Sequence, residues 1–125
     1  MSGLFTRVLV AAALASVCSG AAVAADPAAG KSVFQSTCGI CHSVQPGANK
    51  IGPTLFGVVG RKTGSVPGYT YSPQNQGANL TWDPATLDKY LEAPRTMIPG
   101  TKMTYAGLKD PAKRADLIAY LETLK

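Results

Sequence analysis

The chain has one histidine, and it directly follows the second of two cysteines spaced three apart, in Cys38-Gly39-Ile40-Cys41-His42. This C-x-x-C-H run is the attachment signature of a c-type haem. Two intervening residues on a helical turn space the thiols to form thioethers with the two porphyrin vinyl groups. His42 then lies under the iron, where Nε2 can ligate it. Three other uses of the run fit less well. A structural zinc site needs four ligands, and no second C-x-x-C accompanies these three. A thioredoxin-like motif belongs beside a βαβ pattern, which is absent. A disulfide closing so short a loop would constrain little of the unfolded chain and leaves His42 without a purpose.

With the histidine used, the opposite face of the iron needs another donor. Met97 and Met103 lie beyond the leader, and Met103 follows Ile98-Pro99-Gly100-Thr101-Lys102. The Pro-Gly pair predicts a sharp turn, after which the chain can run extended across a haem face. Met103 is therefore the expected sixth ligand, and Met97, ahead of the turn, is expected to pack in the core. A thioether is a soft, neutral donor that favours Fe(II) over Fe(III) and raises the reduction potential. Filling both axial positions suits electron transfer and disfavours catalysis.

The first 25 residues read as a Sec leader. Arg7 supplies the charged n-region, Val8–Ala15 an apolar h-region, and Ala22-Val23-Ala24 the small residues at a cleavage site after Ala24 or Ala25. The apolar run is short for a membrane anchor. Residues 26–125 then form one domain in the periplasm, an oxidising compartment. Cys18 leaves with the leader. So does Arg7, one of 12 basic residues set against 7 acidic ones, and the exported chain keeps a net charge of +4. That is too modest and scattered for nucleic acid, yet it favours an acidic protein partner.

Three Asp-Pro pairs, at Asp26-Pro27, Asp83-Pro84 and Asp110-Pro111, predict three helix starts, with Asp as N-cap and Pro in the first turn. The first helix is expected to reach about Ser36 and to turn Gly30, Val33 and Phe34 inward. The second is expected to end near Ala93, ahead of Pro94, with Leu87, Tyr90 and Leu91 on its buried face. The third is expected to run to the C-terminus with a stripe of Leu117, Ile118, Leu121 and Leu124, flanked by Tyr120. It should cross the first helix where Gly30 lets two backbones approach. Residues 43–82 carry many Gly and Pro and no strand pattern. Such a stretch inside a small domain calls for a large buried cofactor to organise it. The fold is thus all-α, with long irregular loops around a haem.

Beyond the haem motif, the chain holds Gly52-Pro53-Thr54-Leu55, Gly57-Val58-Val59-Gly60-Arg61-Lys62-Thr63-Gly64, Tyr69-Thr70-Tyr71-Ser72, Leu80-Thr81-Trp82, Ile98–Met103 and Ala115–Leu121. Together these resemble class I cytochrome c, close to the mitochondrial and alphaproteobacterial type, over essentially all of residues 26–125. The resemblance implies roles. The Pro53 carbonyl would accept from His42 Nδ1. Arg61 would compensate a propionate charge, and Tyr71 and Trp82 would donate to propionates. Asn75 and Thr101 would join that polar network. Tyr90 would reach toward the Met103 sulfur.

It also implies a soluble, monomeric periplasmic carrier of single electrons, not an enzyme. Its partners would be the acidic docking faces of a cytochrome bc complex, a terminal oxidase or a photosynthetic reaction centre. It would touch membranes only through those complexes and would not bind nucleic acid. Dedicated service to a periplasmic dehydrogenase is the alternative, and a haem enzyme or gas sensor with a displaceable sixth ligand a more distant one. The chain departs from its relatives at Thr37 and Thr96, where Lys is common, at Arg95, which replaces another Lys, and at Tyr105, usually Phe. The basic ring around the haem edge is therefore expected to be thin: Lys31, Lys50, Arg95, Lys102 and Lys109.

Overall fold

The computed structural model describes residues 23–125, so the expected leader lies almost wholly outside the described residues. Five α-helices follow: α1 (Pro27–Val33), α2 (Pro73–Gln76), α3 (Pro84–Glu92), α4 (Pro94–Met97) and α5 (Pro111–Glu122). Among the described residues, the only strand-like pairing is one isolated bridge between Lys62 and Thr81. The expected all-α class is what the structure has. None of these helices is long and apolar enough to cross a membrane.

Each Asp-Pro pair starts a helix by the expected means. The Asp26 carboxylate accepts from Ala28 N, Asp83 from Thr86 N, and Asp110 from Ala112 N and Lys113 N. Each satisfies amides that have no partner within the helix. Ser72-Pro73 does the same for the single turn of α2, with Ser72 accepting from Asn75 N. Pro94 both closes α3 and opens α4, a short helix the periodicity does not predict.

The first helix runs further than its pattern predicts. After Val33 it continues as a π-helical segment, Phe34–Cys38. There Gly39 N bonds back five residues to Phe34 O at 2.8 Å, and His42 N then bonds to Cys38 O at 2.9 Å. The wider turn carries the helical path into the Cys38–His42 run. Phe34 is left buried against Tyr120 of α5, with ring centroids 5.7 Å apart.

The most extensive helix packing is between α1 and α5, where the backbones nearly touch at Gly30. A Cβ at Gly30 would run into the Asp116 carbonyl and the Tyr120 side chain. Asp26 N also donates to Asp116 Oδ1 at 2.8 Å, pinning the start of α1 to the middle of α5. From α5, Leu117, Ile118 and Leu121 enter the core and meet Leu87, Tyr90 and Leu91 of α3. Arg114, also on α5, is buried; its Nε donates to Asp88 at 2.8 Å and its Nη1 to the Leu108 and Lys109 carbonyls. It thereby ties α3, α5 and the loop before α5 together.

The irregular stretch is held by side chain–backbone bonds in place of regular structure. Thr54, buried, donates to Gln45 O at 2.6 Å and accepts from Phe56 N. Asn49 accepts from Thr54 N and donates to Pro67 O. Gly60 N to Trp82 O, Trp82 N to Arg61 O and Thr63 N to Leu80 O set residues 60–63 alongside 80–82.

Gly30→Ala tests the helix crossing. Helix propensity favours Ala by about 1 kcal/mol. The obstruction is backbone, which cannot move aside cheaply, and overpacking of this kind costs up to about 3 kcal/mol. The haem-loaded variant should lose about 2 kcal/mol in urea unfolding; unchanged stability would mean that the helices cross less closely.

Candidate functional site

A cavity of about 820 Å³ occupies the space that a larger hydrophobic core would fill. Its size is that of a small-molecule or cofactor site. One wall comes from the end of the first helix and the turn after it, with Cys38, Cys41 and His42. Another comes from residues 101–106, with Met103. The floor is apolar, with Leu87, Leu91, Leu117 and Leu121.

Every residue that the sequence assigns to the haem or its iron lines this one cavity: Cys38, Cys41, His42, Pro53, Arg61, Tyr71, Asn75, Trp82, Tyr90, Thr101 and Met103. They come from sequence positions 65 residues apart, on the helix end, three loops, α2 and α3. Met97 is absent from the lining and packs against the core.

The state of His42 follows from its surroundings. Nδ1 lies 2.7 Å from Pro53 O. A carbonyl only accepts, so Nδ1 carries the proton. Burial pulls the imidazole below its ordinary pKa, with the Pro53 bond opposing and the Arg61 and Lys50 charges adding. The ring is thus neutral at pH 7, and Nε2 keeps its lone pair, as a metal ligand requires. Gly52 gives the ring its room, since a Cβ there would overlap its Cε1, Nδ1 and Nε2 atoms.

Met103 is held by different means. Thr101 N bonds to Ile98 O at 3.1 Å, closing a turn with Pro99 second and Gly100 third. Gly100 has φ +85°, as a type II turn requires of its third residue. The chain then passes the cavity, and Tyr90 Oη donates to Met103 Sδ at 3.4 Å. Tyr90 is itself buried against Trp82, centroids 4.7 Å apart, and burial raises its pKa. It stays a protonated donor at neutral pH.

The polar rim is uneven. Arg61 Nη1 donates to Thr54 O at 2.9 Å and to Phe56 O at 3.3 Å. Its Nε and the Oδ1 of Asn75 are buried with no protein partner. Tyr71 Oη accepts from Val66 N at 3.0 Å, which leaves its own proton free to donate. Buried polar atoms rarely go unpaired. A guanidinium N–H of this kind suits an acidic group within the cavity. The thiols complete the donor set. Cys38 and Cys41 are both free and half-buried, and burial followed by the neighbouring Cys41 pushes Cys38 up to about 11, so it is a thiol at neutral pH. Among the described residues no cluster of three His, Cys, Asp or Glu side chains could hold a bare metal ion. One imidazole, one thioether, two thiols and a large apolar cavity with a cationic edge fit a metal carried in a macrocycle. The residues fit a haem.

Three features go beyond the roles that the sequence assigns. Gly52 seats the imidazole, and its place beside Pro53 is the one signal that could have found it. Lys102 Nζ donates to Thr70 O at 2.6 Å and lies 5.9 Å from the Tyr69 ring centroid, closing the Met103 segment against the opposite loop. Lys50, Arg95 and Lys109 likewise donate to the Gly39, Thr104 and Glu92 carbonyls. Four members of the expected basic ring are thus exposed and also bonded to the backbone. No periodicity announces such bonds.

Comparison with known proteins agrees with this geometry. Residues 27–125 match the family model described as cytochrome c. A cytochrome c2 of Rhodopila globiformis is 53% identical over 106 residues, covering 85% of this chain and all of that one. A cytochrome c2 of Rhodomicrobium vannielii is 53% identical over 117 residues, covering 92% of this chain and 91% of the other. The solved structure of cytochrome cH from Methylobacterium extorquens superposes with a TM-score of 0.74 at 45% identity, over 78% of this chain and 98% of that one.

Gly52→Ala should push the imidazole away from Pro53. Losing a hydrogen bond worth about 1 kcal/mol should speed solvent exchange of the Nδ1 proton about fivefold in the loaded protein. Nitrogen-15 NMR of the single histidine reads this directly, and unaltered exchange would mean that the ring has space to spare.

Proposed function

The chain belongs to the cytochrome c family, and from that premise we propose that His42 and Met103 grip its haem iron while the protein carries single electrons between membrane-bound redox complexes in the periplasm. It is an electron-transfer protein of class I, related to cytochromes c2 and cH, with haem c on Cys38 and Cys41. When bound, the haem supplies an iron that alternates between Fe(III) and Fe(II), one electron at a time. The observation that carries the axial assignment is that one imidazole and one thioether face a single cavity also lined by both attachment thiols.

The protein's own contribution is to hold that chemistry still. The Pro53 bond fixes the tautomer of His42 and makes Nε2 a better donor. Tyr90 orients the Met103 sulfur by donating to it, and the Pro99-Gly100 turn sets the entry of that segment. Arg61 places a positive group at the cavity edge, with Tyr71, Trp82, Asn75 and Thr101 as its polar neighbours, so that acidic groups on the macrocycle are tolerated away from water. Leu87, Leu91, Leu117 and Leu121 exclude solvent from the interior. With His42 and Met103 both committed to holding the group, the dry site would change little when its charge changes, which would favour rapid electron transfer over substrate binding.

The reading extends to the leader and the partners. Residues 1–25 act as a cleaved export signal, leaving a carrier that docks on acidic faces. A cytochrome bc complex is the proposed donor, and a terminal oxidase or a reaction centre the acceptor. Lys50, Arg95, Lys102 and Lys109 are exposed and provide the positive charge for steering.

Two measurements test this. The purified exported protein should carry one haem resistant to denaturing extraction, and its oxidised form should show a methionine–iron charge-transfer band. Met103→Ala should abolish that band, open the iron to carbon monoxide, and lower the potential by a measurable part of the roughly 0.8 V span that axial ligation covers. Retention of the band would transfer the ligand role to Met97. Second, reduction by quinol-driven membranes should slow as salt rises, by at least about tenfold between low ionic strength and 0.5 M. A rate indifferent to salt would remove charge from the docking step.

A further inference from the structure

The start of α1 is fastened from outside its own helix. Asp26 N donates to Asp116 Oδ1 at 2.8 Å, joining residues 90 apart in sequence. The Asp26 carboxylate serves its own helix, accepting from Ala28 N at 2.9 Å. Asp116 also presents its backbone carbonyl where a Cβ on Gly30 would fall. One residue of α5 thus meets α1 twice, at the backbone crossing and at the nitrogen that leads into the helix. Among the described residues no Lys or Arg pairs with the Asp116 carboxylate; the one ion pair is Arg114 with Asp88. A half-buried carboxylate without a cation holds a backbone nitrogen instead.

That nitrogen stands at the boundary of the expected leader, where small residues allow a cut after Ala24 or after Ala25. Hydrolysis of the Ala25–Asp26 bond consumes one water. Its oxygen joins the Ala25 carbonyl carbon, which departs with the leader as a carboxylate. Its two protons join Asp26 N, which becomes an ammonium. The group 2.8 Å from Asp116 Oδ1 then carries a full charge, and a hydrogen bond between charged partners is roughly twice as strong as a neutral one. A positive group beside a helix N-terminus is opposed by the helix dipole, so a carboxylate close by offsets a real cost. A cut after Ala24 would move the charge about 3.8 Å along the chain and leave a neutral amide at Asp116. Ala25 borders a surface groove whose charged members are Glu122 and Asp88, the latter already held by Arg114.

We propose that export processing cuts after Ala25 and that Asp116 seats the ammonium released there, an ion pair that exists only in the processed chain. The proposal rests on the leader reading above and deepens it, fixing the cut and giving the new terminus a partner. The other charged groups of α1 and α5 are Lys31, Lys113, Arg114 and Glu122, and among the described residues none of them bonds to Asp26 N or Asp116 Oδ1. Removal of the leader thereby tightens the α1–α5 crossing, from which the helical path runs on to Cys38 and His42.

The experiment uses the exported, haem-loaded protein. Its mass, less one haem, should equal that of residues 26–125. The Asp26 amine is then labelled with an acylating reagent across a range of pH, with mass spectrometry as the readout. Because the unprotonated amine is the reactive form, the pH dependence of labelling reports how tightly the amine holds its proton. Folded wild type should hold it about threefold more tightly than the same protein in concentrated urea, the size expected of an ion pair near the surface. Asp116→Asn, first shown to keep the wild-type visible spectrum, retains an oxygen for the bond but loses the charge, and should erase that difference. The folded-against-unfolded comparison in wild type stands by itself if the variant does not fold. A mass that includes Ala25 would overturn the cut. A proton held equally in folded and unfolded wild type, or a difference that survives Asp116→Asn, would overturn the seat. Each of these leaves the leader reading standing. A mass that includes residues 1–24 would overturn the leader reading and this proposal with it.

Discussion

The near-contact of α1 and α5 at Gly30 is the constraint from which the rest of the structure follows. It is a meeting of backbones, made possible by a missing side chain. Once α1 is set there, the helical path continues through the π segment and delivers Cys38, Cys41 and His42 to one wall of the cavity. Once α5 is set there, Leu117 and Leu121 form the floor, and Arg114 reaches out to hold α3 and the loop before α5. Two short helices with a modest apolar stripe would be weak partners by themselves. Their close approach extracts much contact from little surface, and it leaves the centre of the molecule to the cofactor.

The cavity explains how so small a chain tolerates so much irregular structure. Loops normally stay on the surface because their backbone groups need water. Here the loop of residues 43–72 meets its needs through Thr54, Asn49 and Ser72, polar side chains that stand in for a ladder. The apolar faces of the same loop, Leu55 and Val58, then serve as cavity wall. Burial and bonding are divided among residues that are neighbours in sequence, so the loop has no period to display.

Much of this was legible because the chemistry is local. The Asp-Pro pairs mark three helix starts, since capping is decided by a few adjacent residues, and the C-x-x-C-H spacing marks the attachment site for the same reason. The Pro99-Gly100 turn is likewise local, and it separates Met103 from Met97. What was hidden depends on distant parts of the chain. The π segment keeps the helix going past Ser36 with a bond no amphipathic pattern encodes. The single-turn helices α2 and α4 are too short to carry a period, although Ser72-Pro73 offers the same N-cap chemistry as the Asp-Pro pairs. The seat that Gly52 provides for the imidazole appears only when the two loops are brought together.

The backbone bonds of the surface cations restrict how this protein's exterior can change. Lys50, Arg95, Lys102 and Lys109 are each exposed, yet each also closes a loop by donating to a main-chain carbonyl. A surface charge is ordinarily free to drift between lineages, because losing it disturbs nothing underneath. At these four positions, substitution alters the outward field and slackens a loop of the haem crevice together. Retuning this protein toward a new partner is therefore easier at sites such as Thr37 and Thr96, where no such tether has to be surrendered.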